Sequence, residues 1–456
     1  MANEYAVNQA DLKAVADAIR TKGGTSDALT FPGGFVDAVG AIQAGSGGGE
    51  GEVVTVTGWV RPSEWPAQPK GWKDEACMYM LIDCTGGLAY LNINTSNGSV
   101  YIGTTDSDGT FIPDSDEPIT GTAYLKDEDF GDRDYCWVKI VSNNGVDLSY
   151  SWGSTDSYGL KGNLSTVIEH LVANVSTSMQ QWYMDSGSSI VHVHVFNCTV
   201  STISNVAYNA TSLKRFNLEN CTVSGRANRA FHGCTLLENL LFDGTTVTVS
   251  DITNLFNGCN MLREVDLSGW TFTGKDVNIF QGNMYALKKM NLTGFKTTGT
   301  LTTNRIIASY ARSLESIDLS PYASAPISQI ALDRLISIRE LSFPPNNWAL
   351  TSLNLRECSN LERLDVSNLD LTGVTNLSSS ATFWALSKLQ HCSAINAKVS
   401  IQFNGSPLLT HESLMNIING LPTVETTQTL TVGSVNTAKL TEDEIAIATE
   451  KGWTVA

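Results

Sequence analysis

No run of eighteen apolar residues occurs anywhere in the chain, so no segment reads as a membrane-spanning helix. Basic residues are scarce as well. The 29 Lys and Arg stand against 46 Asp and Glu, a formal charge of −17, and they nowhere gather into the stripe that nucleic acid requires. Such a chain repels anionic surfaces, and nucleic acid is not an expected partner. The nine cysteines (Cys77, Cys84, Cys136, Cys198, Cys221, Cys234, Cys259, Cys358 and Cys392) are odd in number and scattered, with no C-x-x-C pair. That argues against a disulfide framework or a zinc knuckle and for buried free thiols. Catalytic signatures are missing too: no H-E-x-x-H, no G-x-S-x-G, no P-loop and no dinucleotide fingerprint. The expectation is a non-enzymatic protein without a cofactor. The opening MANEYAVNQADLKAVADAIR has no basic start, apolar core or small-residue cleavage site, so neither Sec export nor membrane insertion is expected.

What is present is turn and strand chemistry. The 38 glycines, with many Ser, Thr and Asn, favour short strands over long helices. Residues 1–44 read as a short helical module: Asn8 caps a helix whose Leu12, Val15 and Ile19 make one apolar stripe, and Val36, Val39 and Ile42 make a second. Two helices of this size bury too little alone, so they are expected to serve attachment or oligomerisation. GSGGGEGE, within 45–52, is a flexible linker by composition. Over 53–155 short alternating runs recur, as in YCWVKIV, where Cys136, Val138 and Ile140 share one face; an antiparallel β-sandwich is expected. Pro62, Pro66 and Pro69 keep their stretch out of a central strand.

From residue 156 a new pattern takes over. Leu-x-x-apolar-x-apolar cores begin at Ile190, Leu213, Leu237, Leu262, Leu287, Leu314, Ile338 and Leu361, spaced 23 to 27 residues apart. A fixed period in the twenties with this core means leucine-rich repeats, one strand per repeat, stacked because no single repeat can bury its inner face. The solenoid is expected over 156–408. Leu350-Leu353-Leu355 falls out of phase and leaves the register there open. Cys234, Cys259 and Cys358 occupy matching places and read as a ladder of small buried hydrophobes. Over 409–456 an α/β cap is expected, with a helix ended by Gly420, a capping box of Thr441 and Glu444, and Gly452 closing that helix. The whole is a multidomain α+β chain.

Two stretches resemble known families. FNGCNMLREVDLSGW resembles the BspA-like class of leucine-rich repeats, found in bacterial surface antigens and prophage proteins, and the likeness runs over roughly residues 185–400. ADLKAVADAIRTKGGTSDALTFPGGFVDAVGAIQAG, at 10–45, closely resembles an N-terminal module of tail fibre and other tail-associated proteins of phages infecting Gram-positive gut bacteria. WVRPSEWPAQP and LTVGSVNTAKLTEDEIAIATEKGW are similar to segments of such proteins. The resemblance implies a receptor-binding protein of the virion tail, made in the host cytoplasm and released by lysis. It further implies attachment to other tail proteins through the N-terminal module, and a homo-oligomer, a trimer being the form it suggests. A bacterial surface adhesin with the same repeats, or a tail-borne polysaccharide depolymerase, remains an alternative.

The recognition candidates come from strand periodicity. Residues between the buried positions of each repeat strand face outward in stacked columns. They are Arg215, Asn217, Asn239, Glu264, Asp266, Lys289, Asn291, Asp318, Glu340, Arg363 and Asp365. Such an array suits a bacterial surface glycan or protein, and an ordinary wetted sheet face reads the same way. Trp270, Phe272, Phe295, Tyr322 and Trp348 are candidates to stack on sugars or to fill the core. No metal is expected. The nearest approach to a site is His192 with His194, two apart on one strand, and the carboxylates Asp106 and Asp108 in a loop that lacks calcium-binding spacing.

Overall fold

The computed structural model describes residues 59–86, 91–142, 160–162, 166–183, 188–280, 284–308, 310–345, 347–375, 377, 382–403 and 405–456. The expected helical module with Leu12, Val15, Ile19, Val36, Val39 and Ile42, the linker, and the runs at 53–58 and 148–152 lie outside the described residues. Residues Gly58–Ala456 form one compact unit.

Its first strands are β1 (Cys77–Asp83), β2 (Leu91–Thr105) and β3 (Tyr135–Ser142), paired antiparallel with β3 between the other two. β1 is apolar on both faces. Met78, Met80 and Ile82 point with Cys136, Val138 and Ile140 into one core, and Cys77, Tyr79 and Leu81 point with Trp137 into another. The alternation read from YCWVKIV is therefore present with both faces covered. The surrounding architecture differs from a separate sandwich. β1 also pairs antiparallel with β4 (Val167–Ala173), which pairs parallel with β5 (His192–Phe196), followed by β6 (Arg215–Glu219) and β7 (Asn239–Leu241). All belong to one ten-stranded sheet, so the antiparallel strands and the first repeats share a sheet across the expected boundary at 155.

The repeats stack as three-sided coils. Parallel register sets Val193 beside Phe216 and Phe216 beside Leu240, the alignment expected from the repeat cores. The inner column continues through β8 (Glu264–Asp266), β9 (Lys289–Asn291), β10 (Glu340–Leu341), β11 (Arg363–Leu364) and β12 (His391–Cys392). A second column runs from Ser176–Thr177 through Thr199–Val200, Thr222–Val223, Thr246–Val249 and Thr271–Phe272 to Lys296–Thr297. The third side is made of turns in the first coils and of strands Arg305–Ile307, Gln329–Ala331 and Ser352–Asn354 later. Leu353 pairs with Ile330 there, so Leu350-Leu353-Leu355 is out of phase because it lies on a different side of the coil.

Corners demand left-handed backbone. At the first corner Asn174, Asn197, Asn220, Gly244, Gly269 and Gly294 all have φ between 51° and 71°, which Asn and Gly tolerate best. On the third side the same conformation recurs one residue before a buried small or apolar side chain, at Gly233 before Cys234, Gly258 before Cys259 and Glu357 before Cys358. Each thiol reaches a carbonyl one coil back: Cys234 to Ala207 at 2.9 Å, Cys259 to Phe231 at 3.0 Å, Cys358 to Leu332 at 3.1 Å. Burial pushes the Cys358 thiol up to about 12 and raises the other two. The matching cysteines are thus core residues.

Residues 409–456 hold helices α1 (His411–Gly420) and α2 (Glu442–Glu450) and a helical turn at Ser434–Thr437. Strands Ile401–Gln402, Gln428–Thr431 and Trp453–Val455 pair parallel between them. The Thr441–Glu444 capping box is formed, and Gly452 follows α2 at φ 86°. Gly420 is the last residue of α1 and acts by close approach: a Cβ there would lie 2.7 Å from Ala394 Cβ. One apolar core runs from Met78 to Trp453.

Candidate functional site

The inner column presents two ladders of outward residues. One runs Glu169, His192, Arg215, Asn239 and then Glu264, Lys289. It resumes at Glu340, Arg363, His391. The other, two residues on, includes His194, Asn217, Asp266, Asn291 and Asp365. The start of both ladders is covered. Residues 59–76, the proline-bearing stretch, cross it as a strap without strand structure. Trp59 lies 5.2 Å from the His192 ring and its N–H donates to Asn239 Oδ1 at 3.1 Å. Trp72 meets His194 edge-on at 5.0 Å.

Two ionic clusters hold the strap. The Arg61 guanidinium bonds both oxygens of Glu169, at 2.8 to 3.1 Å, while Gln68 Nε2 and His192 Nδ1 lie 2.8 and 2.7 Å from Glu169 Oε1. Burial favours the neutral Glu169, but hydrogen bonds from His192 and Arg61 outweigh it and hold the carboxyl below its ordinary value. In the second cluster Lys73 Nζ lies 2.5 Å from Glu219 Oε2, and His194 Nε2 is 2.8 Å from the same oxygen. Burial lowers His194 to about 4, more than Glu219 raises it, so the imidazole is neutral and Lys73 supplies the charge.

Two of the expected recognition residues are buried and a third is partly so. Asn217 and Asn239 are 4% and 9% exposed, and Arg215 is half-buried with its Nε inaccessible. Asn217 and Asn239 are not available to a ligand in this arrangement. His192 and His194 are likewise occupied by carboxylates and indoles, and Asp106 closes its own turn by accepting from the N–H groups of Asp108 and Thr110. No group of three metal-capable side chains occurs among the described residues. Trp270, Phe272, Tyr322 and Trp348 are buried and Phe295 packs on the core, which settles them as core side chains.

Beyond Asn239 no described segment crosses the face. Glu264, Asp266, Lys289, Asn291, Asp318, Glu340, Arg363 and Asp365 are exposed. Four of these also shape turns: Asp266, Asn291, Asp318 and Asp365 each accept from the backbone N–H two residues on, at 2.7 to 3.1 Å. The D/N-x-S/T tripeptides (DLS, NLT, DLS, DVS) carry that signal in the sequence. Glu264, Lys289, Glu340 and Arg363 are left as freely presented charges; Arg363 Nε stands 3.8 Å from Glu340 Oε1, a loose and screened pair. The far end is walled by α1. A cavity of about 420 Å³ there is lined by Glu340, Arg363, Asp365 and His391 with Glu412 and Asn416 of the helix. Periodicity alone pointed to neither that wall nor the strap.

The family described as BspA type leucine-rich repeat region matches residues 181–303, in six copies. No curated protein and no solved structure matches the chain. Leucine-rich repeats of BspA type, stacked as a β-solenoid, are therefore present, and they are consistent with a surface-binding, adhesin-type repeat protein.

Proposed function

We propose that the chain is a receptor-binding component of a phage tail that recognises the host bacterial surface through the uncovered face of its solenoid. The observation that carries the recognition part is the open polar ladder from Glu264 to Arg363. Side chains fixed in register on stacked strands meet a large ligand with many weak contacts in one geometry. Binding is non-covalent, without a cofactor, and the ligand is a surface glycan or protein.

The tail assignment is supported by the resemblance of residues 10–45 to tail-associated modules. On that reading the N-terminal module joins other tail proteins and gathers copies of the chain, three being the number the resemblance suggests. Weak single contacts then multiply through effective concentration. The chain is made in the host cytoplasm and leaves with the virion at lysis. BspA type repeats equally support an adhesin on a bacterial surface, which shares the binding face and differs in location.

The test uses the labelled full chain against a panel of Gram-positive gut bacteria, beside the variant Glu264→Ala/Lys289→Ala/Glu340→Ala/Arg363→Ala. Wild type should stain at least one strain, and the variant should stain it about tenfold less, the loss expected when several contacts of one array are removed. Equal staining by both, or none by wild type, would remove this face from recognition. Gold-labelled antibody decorating virion tails supports the phage reading; decoration of bacterial walls in uninfected cultures supports the adhesin.

A further inference from the structure

One polypeptide segment is already seated on this face. The strap gives an arginine to Glu169, a lysine to Glu219 and indoles to His192 and His194, and its own backbone enters the ladder where the Trp59 N–H meets Asn239. Its carbonyls are used as well: Lys73 O accepts from Asn174 Nδ2 at 2.7 Å and Ala67 O from Trp137 Nε1 at 3.2 Å. It lies over the strands as a proline-bearing segment that turns at residues 63–65 and 70–71 and closes a 3-10 turn at Trp72–Asp74. The face thus contributes carboxylates, flat rings and side-chain amides, and the segment contributes cations, indoles and peptide groups.

The same ladder continues uncovered. After Asn239 the position held by Glu169 under the strap is held by Glu264, then Lys289, and later Glu340, Arg363 and His391. Within the two ladders five exposed carboxylates (Glu264, Asp266, Asp318, Glu340, Asp365) stand against two exposed cations, Lys289 and Arg363; α1 adds Glu412 at the closed end, and the exposed Arg263, Lys288 and Arg339 each stand one residue before a ladder position. The open run therefore keeps carboxylates like those that hold the strap and, among the described residues, has no strap over it.

Resting on the reading of this face as the recognition surface, we propose that its uncovered run, from Glu264 to the wall formed by α1, binds a polypeptide segment of the receptor. That segment carries Arg or Lys with a neighbouring aromatic and lies across the strands beside the strap. Continuity with the seated strap and the excess of carboxylates select a basic, aromatic peptide over a neutral glycan as occupant. The cations in the ladder, Lys289 and Arg363, set where the ligand's own acidic or neutral residues fall.

The experiment immobilises the full chain and selects from a displayed library of random twelve-residue peptides, with purified wall polysaccharide from the stained strain as a second probe. Expected are peptides enriched in Arg or Lys together with Trp, Tyr or Phe. Their binding should weaken about tenfold in Glu264→Gln/Glu340→Gln and by a similar factor when salt is raised from 50 mM to 500 mM, as exposed charge pairs require. Both substitutions sit at exposed positions, and an unchanged melting temperature confirms the fold. No enrichment, enriched peptides that ignore the substitutions, or saturable polysaccharide binding lost in the double variant would each overturn the proposal. Whole-cell staining by the double variant separates the two readings. If staining falls while no peptide binds, the face remains the recognition surface and only its peptide ligand is wrong.

Discussion

Neutral imidazoles buried in the first rungs give this protein a defined acid sensitivity. His170 is 1% exposed, its Nδ1 lies 2.5 Å from the Tyr183 hydroxyl, and burial lowers it to about 3. His194, under Trp72, is lowered to about 4 by burial. Both folded values lie below the ordinary histidine value, so as pH falls below about 6.5 the unfolded chain takes up protons that the folded chain refuses. Stability is intact above that pH and declines towards pH 4, by about 1.4 kcal/mol per pH unit for each imidazole. Urea midpoints should therefore drop between pH 7 and pH 5, with about 2 kcal/mol of the loss due to His170. In His170→Gln the drop should shrink by that amount; an unchanged pH dependence would mean that His170 titrates normally in the folded chain. Glu169 acts in the same direction at lower pH, because its depressed carboxyl value withdraws stability only as acid protonates it.

The coil corners show how tightly neighbouring rungs constrain one another. Gly233, at φ 77°, could not gain a Cβ without meeting Asn209 Oδ1 at 2.2 Å, the residue in the same left-handed position one coil before. Gly233→Ala should cost about 2 kcal/mol in urea unfolding, from left-handed strain and the displaced amide. Asn209→Gly should return the amide share of that cost, leaving the strain; no rescue would place the clash elsewhere. Much of this element was legible beforehand. The interval of 23 to 27 residues and the Leu-x-x-apolar-x-apolar cores are local signals, and they set Val193, Phe216 and Leu240 in neighbouring rungs as found. Cys234, Cys259 and Cys358 were legible as buried for the same reason. The third side was not, because its residues change from turns near Gly233 to strands near Ile306 while the period hardly alters. The site was legible in part. Alternation found the open charges, but Asn239 is buried against Trp59 of the strap, 180 residues earlier, and no local pattern encodes that contact.

The molecule's continuity follows from β4, which has antiparallel β1 on one side and parallel β5 on the other. An antiparallel sheet ends where its last strand does, and a solenoid's first coil exposes an unpaired edge; joined at β4, each removes the other's open edge. The strap then covers the outward face of the junction, where Trp72, Tyr79 and Trp137 pack with Ile168, Leu171 and Ala173. Sequence reading placed a boundary at 155 because the hydrophobic spacing changes there, yet a change of spacing is compatible with an unbroken sheet when the two parts share a strand. A fragment starting at residue 156 would strip β4 of its partner strand and leave Ile168, Leu171 and Ala173 in water. It should elute as aggregates, or bind a hydrophobic dye, under conditions where the full chain stays dispersed. A dispersed fragment with the full chain's unfolding midpoint would instead make the repeats self-sufficient and the antiparallel strands an appendage. The expected outcome also fixes how recognition can be dissected. The uncovered ladder begins at β8, the next strand of the column after the strap's last anchor at Asn239, so point substitutions in the whole chain probe the face without disturbing the edge that truncation would open.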